Sequence, residues 1–177
     1  MLEGKRIFLR HPEEGDQDEY IALNLLSASF HRGLASPPTT PEQYAAFLRR
    51  CRIDTNVWFF ICRRTDEHIL GTISLMEIVR GAFHSAYLGY QIGAEFARQG
   101  YMTEAIALML RHAFVDLKLH RLEANIQPGN VPSIALVKRA GFVKEGYSRR
   151  YLKICGRWRD HERWAILVED WRKRSRG

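Results

Sequence analysis

The chain has 177 residues, enough for one domain with a substantial core, and its 46% hydrophobic and 27% charged residues are those of an ordinary globular protein. Three cysteines, Cys51, Cys62 and Cys155, are odd in number, far apart and without metal-ligand spacing, which argues against a disulfide scaffold or a metal site and for a reducing compartment. No apolar run approaches the roughly 18 residues that cross a bilayer, and charges interrupt every short apolar run of the N-terminus, so the expectation is a cytoplasmic protein; its net charge of +7 favours acidic partners such as nucleic acid, ribosome surfaces or phosphorylated cofactors.

In chain order, "KRIFLRHP" alternates as a first strand with Ile7 and Leu9 on one face. "EEGDQDEYIALNLLSAS" predicts a helix with acidic residues in its first turns, where the helix dipole favours them. "FHRGLASPPTTPEQY" is a loop by its Gly, Ser and Pro content, closing on Thr40 as N-cap and Pro41 at the first position of a second helix. "NVWFFICRR" and "HILGTISLMEI" are strands around the turn "TDE", and "HSAYLGYQIG" is a third, with Leu88, Tyr90 and Ile92 alternating. From Thr103, the apolar positions Ala105, Leu108, Met109, Ala113 and Leu117 predict a long amphipathic helix. "HRLEANIQ" returns as a strand, and "VPSIALVKRAG" is a short helix with Pro132 in its first turn and Gly141 as its stop. Two strands, "FVKEGYSRRYLKIC" and "RWRDHERWAIL", turn at Gly156, and the closing "WRKRSRG" (171–177) reads as a basic, solvated tail after a single domain over 1–170. This order makes an α+β protein with a mixed sheet around a central strand–helix–strand unit.

The stretch "EFARQGYMTEA" places a glycine directly before the long helix. A helix N-terminus carries unpaired amides and about half a positive charge, so a glycine turn there makes a cradle for a phosphate-like anion. Gly100 permits close approach, Thr103 can add a hydroxyl and Arg98 a permanent charge. Taken alone, the turn is a common one. Neither a P-loop nor the three-glycine dinucleotide fingerprint is present.

Three motifs in order carry a likeness: "ARQGYM" followed by "TEA", "NVPSIALVKRAGF", and "EGYSRRYLKICGRWRDHERWAI" with its "GRWRDH" segment. Over nearly its full length the chain resembles the GNAT superfamily of N-acetyltransferases and, within it, the RimJ/RimL group, which acetylates N-terminal amines of ribosomal proteins. It departs from the common pattern at Ala97, where Gln or Arg is usual, at Met102, where Gly or Ala is usual, at Arg98, where many relatives have glycine, and at Val137, where many members carry tyrosine.

The resemblance implies a GNAT-type mixed, mostly antiparallel sheet with flanking helices. It also implies acetyl-CoA as donor, with its pyrophosphate on the amides of Arg98, Gln99, Gly100, Tyr101, Met102 and Thr103. The pantetheine arm would lie between the "AYLGYQIG" and "RLEANIQ" strands, with a backbone N–H near Gln91 or Ile92 for the developing oxyanion. Asn130 would hold that arm or the helix start, and Ser133 would protonate the departing thiolate. For the general base, Glu77, His84 and Glu123 stand as candidates by position and a water chain competes. Asp160 and His161 either border the substrate opening or pin the hairpin. The acceptor implied is a protein N-terminus, ribosomal by the likeness. Alternatives are a small amine (aminoglycoside, polyamine or amino acid) or a non-catalytic basic module that contacts RNA or the ribosome. The sequence carries no signal for an oligomeric state.

Overall fold

A computed structural model describes residues 1–175 of the chain. The first strands, β1 (Leu2–Glu3) and β2 (Ile7–Arg10), are followed by α1 (Gln17–Leu26), α2 (Ala28–His31) and α3 (Pro41–Cys51). Strands β3 (Val57–Arg63), β4 (Ile69–Val79) and β5 (Ser85–Ile92) lead into α4 (Tyr101–Arg111), then β6 (Arg121–Ile126) and α5 (Val131–Ala140). The chain closes with the hairpin β7 (Val143–Ile154) and β8 (Arg157–Leu167) and with α6 (Val168–Ser175). The strands form one eight-stranded sheet in the order β1-β2-β3-β4-β5-β6-β8-β7. Every neighbour is antiparallel except β5 and β6, which run parallel across the α4 crossover.

Helices cover both faces of this sheet, which explains why β3 reads as an unbroken apolar run rather than an alternating one. Phe60 points to the α1–α3 side, where it packs with Tyr20 and Phe47, while Phe59 points to the α4 side against His112. Ile7 and Leu9 are both fully buried, as their alternation predicts. The cap of α3 follows its sequence: Pro41 opens the helix and the Thr40 hydroxyl accepts from the Gln43 amide at 3.4 Å.

Three stretches differ from the sequence reading. The helix expected over 13–29 is divided: Glu14–Asp16 is a tight 3-10 turn, and Ser27 breaks α1 from α2 while its hydroxyl accepts the Ala94 amide at 3.0 Å. That long-range bond overrides local helix propensity, and α2 runs on into the expected loop, to His31. The helix expected to reach Leu117 widens into a π turn over His112–Asp116, where the Leu117 amide reaches the His112 carbonyl at 3.0 Å. The basic tail also needs correction. Its residues 171–175 belong to α6, because Trp171 packs on the core with its ring 5.5 Å from Phe114, and Arg174 donates to the Arg139 carbonyl at 3.0 Å near the end of α5. Residues 176–177 of the expected tail lie outside the described residues.

One feature of the sheet positions the site. Strands β5 and β6 pair only from Ser85↔Arg121 to Tyr87↔Glu123, and beyond that point they separate. The upper half of β5 keeps its ladder with β4, as far as Ile92↔Gly71, but has no partner on the β6 side. Two parallel strands that splay in this way leave a wedge open through the sheet.

Candidate active site

At the top of β5 the chain turns into α4 through Arg98 and Gly100, both in the left-handed region, with φ of 63° and 83°. This is the ordinary place for glycine and an unfavourable one for arginine, which explains the glycine common at that position in the family pattern. Four contacts from Arg6, just before β2, brace the turn. Its amide and Nε bond the Glu104 carboxylate at 2.8 and 3.1 Å, its Nη1 bonds the Gln99 carbonyl at 2.9 Å, and its guanidinium lies 4.8 Å over the Tyr101 ring. Burial pushes the Glu104 carboxyl up, but these Arg6 bonds outweigh it and hold the group below the ordinary carboxylate range. Nothing local in the sequence couples Arg6 to Glu104.

With the Gln99 carbonyl drawn toward Arg6, the first amides of α4 remain free of intrahelical partners. Arg98 and Thr103 are exposed beside them, and Arg98 has no ion pair among the described residues. Met102 is buried at 8% exposure, so only its amide can face a ligand, and the Gln99 side chain donates to the Glu95 carbonyl at 2.7 Å. This cradle fits a pyrophosphate in charge and in donors.

The wedge between β5 and β6 holds a cleft of about 170 Å3, lined among others by Tyr90, Asn125, Asn130, Ser133, Leu152 and His161. Asn130 caps α5, its side chain accepting the Ser133 amide at 3.3 Å. The Ser133 Oγ lies 2.5 Å from the Tyr90 hydroxyl, and burial pushes the Tyr90 phenol up to about 12, against the opposing pull of the Ser133 bond. Val137 is fully buried in the core. In the sequence Tyr90 is only an alternating strand residue; its meeting with Ser133 depends on how α5 packs over β5.

Strand alternation sorts the remaining site residues. The Gly93 amide donates to the Leu70 carbonyl at 2.8 Å, so Gln91, two residues earlier, also directs its backbone toward β4, while the Ile92 and Tyr90 amides face the open side. The Gln91 side chain leaves on the opposite face from Tyr90 and donates to Asn24 of α1 at 2.9 Å. The cleft therefore opens to two faces, with Tyr90 and Ser133 toward α5 and the α1–α2 segment on the other side. On that second side, Gln127 donates to the Gly33 carbonyl at 2.9 Å, and Cys155 at the hairpin tip meets the Ser36 hydroxyl at 3.2 Å.

The base candidates Glu77, His84 and Glu123 do not line this cleft. Glu77 is exposed, the His84 carbonyl accepts the His120 amide at 2.7 Å at the closed end of the wedge, and Glu123 is paired to Arg121 at 2.8 Å. Among the described residues no group of three or more His, Cys, Asp or Glu is placed to hold a metal ion, and no helix is long and apolar enough to cross a membrane.

A braced glycine turn opening α4, next to parallel strands that splay at mid-length, is matched by the Acetyltransferase (GNAT) domain family over residues 6–143. The chain belongs to the GNAT acetyltransferase family. A probable N-acetyltransferase of Bacillus subtilis is 37% identical over 96% of this chain and 98% of its own. The [ribosomal protein uS5]-alanine N-acetyltransferase of Escherichia coli is 42% identical over 60% of this chain and 55% of its own. Mycobacterium smegmatis RimJ, solved with CoA-disulfide, superposes with a TM-score of 0.83 at 28% identity over 92% of this chain and 82% of that one. A spermidine/spermine N-acetyltransferase from Vibrio cholerae shares the fold, with a TM-score of 0.78 at 24% identity over 96% of this chain and 98% of that one. This GNAT protein is an acetyl-CoA-dependent N-acetyltransferase, and the non-catalytic reading falls away.

Proposed function

We propose that this GNAT enzyme acetylates the N-terminal α-amine of a protein, a ribosomal one, in the cytoplasm, and that the described residues 1–175, with α6 packed on the core, form its single catalytic domain. Bound acetyl-CoA supplies an acetyl thioester. The amides of Arg98 to Thr103 hold its pyrophosphate, with the Arg98 guanidinium adding charge. Ile92 offers the backbone N–H for the oxygen that gains negative charge, and a donor of this kind contributes about 2.7–4 kcal/mol. Gln91 acts from the other face, through its side chain on Asn24. Asn130 sets the start of α5, and Ser133, bonded to Tyr90, protonates the departing sulfur.

The observation that carries the choice of acceptor is the charge of the β7–β8 hairpin. Arg149, Arg150, Lys153, Arg157 and Arg159 follow one another with no carboxylate between them. Leu152 and Ile154 of the same hairpin line the cleft. None of the five cations has an ion pair among the described residues. A polyamine, cationic at every nitrogen, is repelled by such a rim, whereas a peptide brings one amine to the cleft and can carry its own carboxylates or lie on RNA. The α-amine, with a pKa of roughly 7.7–8.0, is also partly neutral at cytosolic pH, unlike a lysine at about 10.4.

The deciding experiment is thiol release with short alanine-initiated peptides and with spermidine. Peptide turnover at least tenfold above spermidine is expected, and preferential turnover of spermidine refutes the α-amine reading.

A further inference from the structure

His161 is 3% exposed and lines the cleft, yet it is not part of the cofactor cradle or the Tyr90–Ser133 pair. Its Nδ1 lies 3.0 Å from the Arg159 carbonyl. A carbonyl only accepts, so Nδ1 carries a hydrogen, and the neutral ring must then keep its lone pair on Nε2. No described residue bonds that nitrogen. On β8, Glu162 and Trp164 face α5, with Trp164 bonded to Glu162 at 3.1 Å and lying under Lys138. His161 therefore faces the opposite side, the one on which Gln127 reaches Gly33. A bulge shapes the place: pairing jumps from Ser148↔His161 to Leu152↔Arg159, and the looped-out segment sets the Tyr151 ring 6.3 Å from the imidazole. Asp160 holds the bulge, accepting from the Arg150 amide at 2.7 Å and the Tyr147 hydroxyl at 2.6 Å.

We propose that the Nε2 of His161 is the general base that deprotonates the acceptor ammonium, working from the face of the cleft opposite the Tyr90–Ser133 pair. The proposal rests on the acetyl transfer established by family membership and not on the identity of the acceptor. The protons balance. Nε2 takes one proton from the ammonium, and the freed lone pair forms the C–N bond as the C–S bond breaks. The sulfur takes its proton from the Ser133 hydroxyl, which is restored by the second proton lost from nitrogen. The imidazolium then returns its proton to solvent.

The surroundings suit a base. Burial pulls the His161 imidazole below its ordinary 6.5, against the weaker opposing effects of the Arg159 carbonyl and the Asp160 charge. Around it lie Tyr151 on β7 and Tyr90 across the cleft, β6 presents the uncharged Asn125 and Gln127, and on β8 itself the cations Arg159 and Arg163 share its face by strand alternation. The ring is thus neutral at the pH where the acceptor is mostly an ammonium ion.

Two measurements test this. Long-range 1H–15N correlation of the imidazole rings in the full-length protein, assigned by the signal lost in His161→Asn, should show an unprotonated Nε2 at about pH 7. A protonated Nε2 at that pH overturns the proposal whatever the acceptor. In parallel, kcat/KM is followed against pH for an alanine-initiated peptide and for spermidine. With a competent peptide, the acid limb of the wild type should break at the value found for His161, below the ordinary 6.5. In His161→Asn, whose amide can still donate to the Arg159 carbonyl, the limb should move up to the amine's own roughly 7.7–8.0. The rate at about pH 7 should fall on the order of 100-fold, with acetyl-CoA affinity unchanged by calorimetry. A variant within about threefold of wild type, with an unmoved limb, overturns the base. Turnover of spermidine alone refutes the α-amine reading while His161 is judged on that substrate, and if neither is turned over the ring spectrum decides.

Discussion

The Tyr90 hydroxyl and the Ser133 Oγ, 2.5 Å apart, join β5 to the first turn of α5 across the cleft. Two hydroxyls at this distance share one hydrogen-bond line, so a proton given up by Ser133 can be supported by the phenol behind it. Ser133→Ala should lower kcat by about 100-fold, and Tyr90→Phe, which keeps the serine, by about tenfold. The double variant should be no worse than Ser133→Ala, since both lie on one path. Single-turnover thiol release reads all three, and additive losses would separate the two hydroxyls.

Arg98 and Gly100 should part company under mutation. Gly100→Ala places a Cβ at φ 83° and 3.1 Å from the Arg6 Nη2, which should cost about 1 kcal/mol of stability and weaken acetyl-CoA binding. Arg98→Gly instead relieves a left-handed arginine, so the thermal midpoint should rise slightly while acetyl-CoA affinity drops by a few-fold. Because Arg98 is exposed, that loss should shrink at high salt. Calorimetry at two ionic strengths, beside thermal melts, distinguishes strain from charge.

His31 and His161 are both held below the ordinary 6.5, chiefly by burial. The unfolded chain then binds protons more readily than the fold, so stability rises with pH in this window. It is complete above the ordinary value and is lost as pH falls through it toward the depressed folded values. Urea midpoints should decline between about pH 7.5 and about pH 5.5, and His31→Leu should flatten that decline. Glu104 acts in a separate, lower window, because its stabilisation is lost as pH falls below the ordinary 4.5 and through its depressed folded value.

Trp171 anchors α6 on Phe114. Trp171→Ala should cost about 2 kcal/mol, less than a fully buried tryptophan because the ring is only partly covered. Loss of protection in amide exchange should be confined to α6 and the end of α5, where Arg174 meets Arg139. Uniform loss across the sheet would instead mark α6 as part of the global folding unit.

The Thr40–Pro41 helix start, the Gly141 stop and the buried alternation of Ile7 and Leu9 all follow from neighbouring residues. The left-handed Gly100 directly before α4 is legible by the same local logic. The ends of helices were less legible, because Ser27 is committed to Ala94, far along the chain, and Trp171 to Phe114.

The sequence by itself determined the element order, the family likeness and the place of Gly100, Asn130 and Ser133, since periodicity, capping and motif spacing act over a few residues. Only the tertiary structure decided where β5 and β6 part, that Tyr90 meets Ser133, that Arg6 braces the cradle, and that His161 rather than Glu77, His84 or Glu123 lines the cleft. Those relations depend on strand order, register and helix packing between residues far apart in the chain, 43 positions for Tyr90–Ser133 and 93 for Arg6–Gln99. Global burial selects such pairings, and no local pattern encodes them.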